Sequence, residues 1–545
     1  MKQLHNTQIP YSVDMYDHSL SSDGIDDFFW PVLHKEITDS ATDFLYLSAN
    51  YLKKFDDKDV SVSVYKLTMK YFVAQMGGIL QACLVHKRFL ENNKSPVVPD
   101  DWLIYPYIFR NQAPPIPSLI YKLKNPCVKQ SLLKRLANPK KALKIIKKIS
   151  IKPSNLEIDG LKIRPITEKI LVNNIIATQR TPLIIERSKL STSEVIFSNV
   201  QRWFKNISEE EFLLHQELRK ESVENSVLQI VKKIFQKNDL KYSDYINNHL
   251  KQYLGELYSA LGIHYTRLLN MDKLPRELWT GTGGNIWDLT LRLAVLNKGG
   301  VVVGHDHGGG TAHVNIPVVG YVELWACSKF VTFNEKQAQL IRKSMKNWPL
   351  LDNSNPEIIG ISRKNRGNVS NKSKTSGVKN ILFLSTLYDR DRGRSFAFYP
   401  DIIYTDWQAR FISNVEKWGY KVFLKPHPES QIKPHPQLQS KFNIDIIDGL
   451  FSDVLQDIDL IIFDYTYTTV FLEALKTDIP ILVLEFDNIP WHENAKHLLK
   501  KRCGFVEGEF DNNNRVKIDW NNVHKEIKNA PSKRFNREIL EEFYL

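Results

Sequence analysis

From Asn380 onward the hydrophobic pattern is regular. The runs NILFLSTLY, YKVFL, DLIIFD and IPILVLEF are short and continuously apolar, and helical patterns separate them, from about Pro400 to Trp418 and over TTVFLEALKT. A run that is apolar on both faces suits a strand buried between two layers of helices, so this alternation predicts a parallel, doubly wound sheet. The stretch from Asn155 to about Ile361 repeats the theme less cleanly: EKILVNNIIAT, a long charged helical run from Ser208 to Ser259, then GGVVVGHDHGGG and ACSKFVTFN. Strands are predicted near Val301 to Val303 and Lys329 to Phe333, in one α/β layer.

Between these two regions, SRKNRGNVSNKSKTSGVKN (Ser362 to Asn380) is basic, rich in Ser, Asn and Gly and poor in large apolar residues, as a linker or exposed loop is. Ahead of the first region, Ser19 to Pro153 mixes aromatic-rich helical patterns with proline-broken connections such as PVVPDDW and NQAPPIPS. Within it, Ser131 to Ser150 reads as two short amphipathic pieces divided by Pro139. The expected organisation is a mainly helical accessory region over 1–153, a first α/β domain over 154–361, a linker or loop over 362–380, a second α/β domain over 381–520 and a C-terminal helix over 521–545.

A chain of 545 residues exceeds what one hydrophobic core serves, which agrees with two domains. Its formal net charge of +13 attracts anions, whether nucleic acid, a membrane surface or phosphorylated and acidic substrates. No RRM, KH, zinc-finger or helix-turn-helix signature accompanies the charge, so nucleic acid is not expected as a partner. The four cysteines, Cys83, Cys127, Cys327 and Cys503, show no CxxC spacing; neither a disulfide framework nor structural zinc is expected, and a reducing cytoplasm fits. The opening MKQLHNTQIPYS has no signal-peptide-like apolar stretch, and no run of about 18 apolar residues occurs. Membrane contact is therefore expected to be peripheral, at the anionic inner face of the cytoplasmic membrane.

In an open α/β sheet the loops leaving the carboxyl ends of the strands form the ligand crevice. Lys425-Pro426-His427-Pro428 follows the strand YKVFL, where a lysine and a histidine can meet a phosphate and the prolines stiffen the loop. A strand-ending loop with a capping histidine is the plain alternative. Asp464-Tyr465-Thr466-Tyr467-Thr468-Thr469 joins the strand DLIIFD to a helix, whose free N–H groups and dipole favour a phosphate, with Thr466, Thr468 and Thr469 in the turn. A threonine that only caps the helix gives the same pattern. Glu473, one turn on, is a candidate for a ribose hydroxyl or else a solvent-facing carboxylate. Two such loops on one sheet are more specific than either alone.

In the first region, Gly304-His305-Asp306-His307-Gly308-Gly309-Gly310-Thr311 combines glycines that admit a ligand with acid-base groups. No motif elsewhere completes a metal site, so none is expected; a glycine-rich turn with incidental histidines stays open. In Thr280-Gly281-Thr282-Gly283-Gly284-Asn285, ahead of the helix IWDLTLRLAVL, Gly281, Gly283 and Gly284 let the backbone approach a substrate or simply form a tight turn with a cap. The run Asp389 to Arg394 offers Arg392 to a diphosphate or an acidic sugar, unless it is a solvated loop.

The HG pair in the first region, the HP pair and the D-Y-(S/T)-rich turn leading to a helix with Glu resemble the bacterial surface-polysaccharide transferases of GT-B fold. These include capsule transferases using CMP-activated ulosonic acids (Kdo, sialic or pseudaminic acid), and the CDP-glycerol glycerophosphotransferases of teichoic acid synthesis are similar in motif. The likeness spans roughly Thr280 to Glu485 and leaves the first 270 residues unplaced. It implies a GT-B architecture, two Rossmann-like domains facing a central cleft, with His427, Thr468 and Thr469 on the nucleotide phosphate and His307 as the base on the acceptor hydroxyl. Asp306, Glu323 and His305 stand behind His307 as further catalytic candidates. Threonines replace the usual serines, and the D/E-D/E-G acid motif of several sialyltransferases is missing, which leaves the base open.

The reaction so implied transfers a sugar with inversion, an ulosonic acid such as pseudaminic acid or Kdo from its CMP donor, to a glycan acceptor of capsule or another cell-surface polysaccharide. Negative charge growing on the leaving phosphate would be met by Lys425, His427, Thr468 and Thr469, and a good leaving group calls for no metal or further cofactor. Glycerol phosphate transfer from a CDP donor is the nearest alternative, and a basic nucleic-acid- or glycan-binding protein without catalysis a more distant one.

Overall fold

The computed structural model describes residues 8–55, 59–100, 118–126, 156–158, 161–163, 174–179, 194–281, 285–306, 308, 310–317, 319–350, 355–361, 377–388, 399–428, 430, 432–486, 490–492, 494–533 and 535–543. Near the start, β1 (Ile9–Ser12) pairs in parallel with β4 (Lys94–Val97), and β2 (Leu20–Ser21) pairs with β3 (Gly24–Ile25). The first large sheet is built from β5 (Leu156–Ile158), β6 (Leu161–Ile163), β7 (Ile175–Ala177), β8 (Val195–Phe197), β9 (Glu277–Thr280), β10 (Val301–His305), β11 (Lys329–Thr332) and β12 (Glu357–Gly360). Their order is β12-β11-β10-β9-β7-β8-β6-β5, parallel except at the β5–β6 edge.

The second sheet contains β13 (Asn380–Leu384), β14 (Lys421–Lys425), β15 (Ile444–Ile446), β16 (Leu460–Phe463), β17 (Ile481–Glu485), β18 (Cys503–Phe510) and β19 (Val516–Ile518). The order is β15-β14-β13-β16-β17-β18-β19, with only β18–β19 antiparallel. The apolar runs read from the sequence are its central strands, and β16 and β17 are buried at every position. In the second sheet the chain reverses its direction of growth once, between β13 and β16; in the first it steps back from β7 to β8 and then crosses to β9 on the other side of β7, so β7 and β9 are neighbours whose chain continues in opposite directions. At such a point the flanking connections depart to opposite faces and leave a crevice at the carboxyl ends of the strands.

The helical pattern expected before residue 153 is present in His34–Leu52 and Val60–Glu91, but these helices are not set apart from the first sheet. Val60–Glu91, started by Asp59 accepting from Ser61 N at 2.9 Å, buries side chains all around its circumference. It packs on His34–Leu52, on Asp244–Leu269 from the long charged run and on Ile286–Asn297, and shares one hydrophobic core with them. Among the described residues no helix is long and apolar enough to cross a membrane.

The described residues before the first long helix are turns, one 3₁₀ turn (Met15–Asp17) and strands of two short ladders, and from Tyr16 on they pack on the second half: Tyr16 donates to the Lys433 carbonyl at 2.7 Å and Leu20 N to Gln437 Oε1 at 2.7 Å. The helix Arg537–Phe543 goes the other way, its Glu541 and Glu542 carbonyls accepting from Asn334 Nδ2 at 3.3 and 3.2 Å. Each half is thus held by a segment from the other end of the chain.

Asp406 anchors the first of these ties. It is fully buried on the helix Asp401–Lys417 and accepts from Ile25 N at 3.0 Å, Arg410 at 2.8 Å and Arg515 at 2.7 Å. Its removal strands two guanidinium groups. Asp406→Ala is expected to cost about 3–5 kcal/mol, seen as a lower midpoint of thermal or urea unfolding; an unchanged midpoint would deny it this role.

Candidate functional site

At the switch point of the second sheet, Leu384 stands opposite both Phe463 and Lys425. Ser385-Thr386, Asp464 onward and Pro426-His427 therefore leave three neighbouring strands at one level. Asp464 points inward: fully buried, it accepts from Trp407 Nε1 at 3.0 Å and from Tyr404 OH at 3.3 Å, and burial lifts its pKa to about 7. It roots the turn and does not face a ligand. Above it the hydroxyls of Thr386 and Thr466 are buried with no hydrogen-bond partner among the described residues. A buried hydroxyl in that state calls for a water or a ligand group.

Thr468 precedes the helix Thr469–Leu475, but its side chain makes no capping bond, so its hydroxyl is not spent on the helix. Thr469 is exposed. The helix has only seven residues, and its dipole adds less than the sequence pattern suggested. His427 is half-buried at the same edge, and Lys425 Nζ donates to the Gly449 carbonyl at 2.5 Å. Glu473 is exposed and paired with Lys476 at 2.9 Å, the plain surface reading of that carboxylate.

In the first sheet, Ala177 lies opposite Trp279 and Gly304 opposite Thr280, which gathers Thr178, Gly281 and His305 at one carboxyl edge. A side chain on Gly281 would sit 2.2 Å from Gln179 Oε1 and 2.7 Å from His305 Cε1, so both side chains would have to shift to admit one. His305 is wholly buried, with Nδ1 3.3 Å from the Asp306 carbonyl. The Asp306 carboxylate accepts from Gly308 N at 2.9 Å, from Gln337 Nε2 at 2.5 Å and from the Thr311 hydroxyl. With these donors it clamps its own loop instead of waiting for a substrate proton. Glu323 is buried in the π-helical turn Gly320–Leu324.

Behind Gly281, the helix Ile286–Asn297 turns Asp288 and Arg292 inward. Burial raises the Asp288 pKa, while Thr178 and Gln179 beside it favour the charged form. Arg292 bonds the Thr280 hydroxyl through Nε and the Glu323 carbonyl through Nη1 at 3.2 Å. The sequence reading passed over both residues, although opposite charges at i and i+4 inside the apolar IWDLTLRLAVL were a signal. His307, Gly283, Gly284 and Arg392 lie outside the described residues, as do Ser131 to Ser150 and most of the expected linker.

The two carboxyl edges meet through their loops. A side chain on Gly310 would fall 2.5 Å from the Tyr467 ring, and Gly308 lies against Thr469. His313 Nε2 donates to the Thr466 carbonyl at 3.2 Å, and its ring packs between Phe471 and Trp491; burial lowers its pKa to about 3 and keeps it neutral. Asn315 N donates to the Pro490 carbonyl at 2.7 Å and His492 N to the His313 carbonyl at 3.0 Å. The loop read as an acid-base motif is thus also the joint between the halves.

A family model described as LIC12162 family transferase matches residues 129–501, which takes in both switch points and both loops. No curated protein matches the chain.

Asp464 makes stability depend on pH. Its folded pKa of about 7 lies above the ordinary 3.8, so the stabilisation it contributes is complete below 3.8 and is lost as pH rises through about 7. Asp464→Asn removes this dependence: relative to the variant, the wild-type melting temperature is expected to fall between about pH 4 and pH 8. Parallel melting curves across that range would contradict it.

Proposed function

Because the chain belongs to the LIC12162 family of transferases, we propose that it is a GT-B-type glycosyltransferase. Its second half binds a nucleotide-activated sugar and its first half presents the acceptor. The observation that carries this reading is the meeting of the two carboxyl edges, Gly308 and Gly310 against Thr469 and Tyr467. Two crevices that open toward each other suit a group passed from a donor in one to an acceptor in the other.

In this reading the donor's phosphate lies over the β13–β16 switch point, where Thr386, Thr466, Thr468 and His427 supply donors, with Lys425 and Thr469 at the rim; Arg392 is a further candidate by sequence. The favoured donor is a CMP-linked ulosonic acid such as pseudaminic acid or Kdo, and the acceptor a glycan of the cell surface. His307 accepts the proton of the acceptor hydroxyl as its oxygen forms a bond to the anomeric carbon. The bond from that carbon to the phosphate oxygen breaks, and the electron pair leaves with CMP. Attack opposite the leaving group inverts the anomeric centre. Asp306 clamps the loop from Gly308 to Thr311, Gly281 stands on the acceptor side, and Gly283 and Gly284 remain candidates for it by sequence. Glu473 is left out of the donor site, and buried His305 out of proton transfer.

The +13 charge suits a cytoplasmic enzyme resting on the anionic inner leaflet. Sedimentation with phosphatidylglycerol vesicles at low salt, lost at high salt, is expected; no binding at either would remove the membrane from this account.

A nucleotide at 100 times its Kd stabilises the protein that binds it by about 2.7 kcal/mol. In a thermal-shift panel of CMP, CDP, UDP, UMP and GDP, the largest shift is expected with CMP and most of it should vanish in His427→Ala. A preference for CDP would redirect the donor to glycerol phosphate, and one for UDP or GDP to ordinary hexoses. No response to any of them would overturn nucleotide-dependent transfer.

A further inference from the structure

The helix Val60–Glu91 is buried on all sides, yet it carries Lys70. The ammonium is buried while part of the stem is not, and among the described residues Nζ has no hydrogen-bond partner. The charged groups around it are Glu323, Arg292 and Asp288. Arg292 is itself completely buried, with Nη2 unpartnered among the described residues, although Nε and Nη1 are bonded. The Asp288 carboxylate lies beside Thr178 and Gln179, but neither of its oxygens closes a well-formed hydrogen bond. The groups left over in one buried cluster at the β7–β9 switch point are therefore two cationic donors and one carboxylate.

That set has a definite chemistry. An apolar side chain at position 70 would cost less, because a buried ammonium that makes no hydrogen bond is expensive even with the Tyr71 ring 5.2 Å away and carboxylates nearby. Leftover cationic donors ask for an oxyanion, and a leftover carboxylate asks for a hydroxyl. A polyhydroxylated acid provides both on one small molecule. Burial lowers the Lys70 pKa to about 7, so the amine is only partly charged at neutral pH and an incoming anion would favour its protonated form.

We propose that Lys70 and Arg292 receive the carboxylate or phosphate of an acidic sugar at the first sheet's switch point, while Asp288 accepts one of its hydroxyls. The acceptor of this transferase is then an acidic sugar residue. The inference rests on the proposed function only in taking the first half as the acceptor side. It also gives the N-terminal helical layer a place in substrate recognition.

The test is a thermal-shift titration of the full chain with D-glucuronate, D-glucose 6-phosphate and neutral D-glucose at matched ionic strength, repeated in Lys70→Met and Asp288→Asn. Stabilisation of the wild type by one or both acids, but not by glucose, is expected, and the stronger acid identifies the anionic group as carboxylate or phosphate. Lys70→Met should melt higher than the wild type without ligand, lose at least about ten-fold in affinity for that acid and keep its response to CMP. Asp288→Asn should also weaken the acidic sugar, so the proposal does not hang on one variant's folding. No stabilisation of the wild type by either acid, or equal affinity in wild type and Lys70→Met, would overturn it. A missing CMP response in the wild type would defeat the donor assignment and leave the acidic-sugar result standing, so the two failures are distinguishable.

Discussion

The contact of Gly310 with Tyr467, with His313 wedged between Phe471 and Trp491 beside it, is the constraint that the candidate site depends on. A parallel doubly wound sheet presents its ligand crevice at one edge only, so two such sheets share a substrate only when those edges face each other. A loop with a side chain at position 310 would be held away from the Tyr467 ring. His313 is kept neutral by burial, so it packs between aromatic rings without the cost of a charge while its N–H meets the Thr466 carbonyl. One short loop thus sets the spacing of the halves.

Long-range ties hold that arrangement from outside. Residues 16–30 lie on the second half through Lys433, Asp406 and Asn514, while the helix Arg537–Phe543 lies on the first half through Asn334. Such ties are strong where they are buried. Asp406 offsets its desolvation with two guanidinium groups and a backbone N–H, whereas the pair Lys336 with Glu542 is half-exposed and contributes little.

The interior beneath the first sheet is more polar than stability alone would favour. Lys70, Asp288, Arg292 and Glu323 lie within a core otherwise built from Leu, Ile, Val and aromatic side chains. The same holds, less sharply, for the unpartnered hydroxyls of Thr386 and Thr466 over the second sheet. Both departures from an apolar interior stand at switch points, where a doubly wound fold has room for a ligand, and a protein there gives up stability for recognition.

The strands β13, β14, β16 and β17 were legible in the sequence because burial on both faces writes itself as an unbroken apolar run. The loops at their ends were legible for the same reason, since a strand that ends in His427 or Asp464 announces which edge that residue occupies. The roles of individual side chains were less so. Asp306 read as a catalytic candidate and clamps its own loop, Asp464 opens the turn and is buried beneath it, Glu473, open to either a ribose or a surface role, lies at the surface, and Thr468 makes no cap. Lys70, Asp288 and Arg292 escaped notice, and the accessory helices looked separate from the helices of the first half that they pack against. The sequence by itself determined the parallel sheet of the second half and the loops at its carboxyl edge, because periodicity and turn residues act locally. Tertiary structure decided which groups share a crevice, because Lys70 and Asp288 are more than 200 positions apart and only packing brings such residues together.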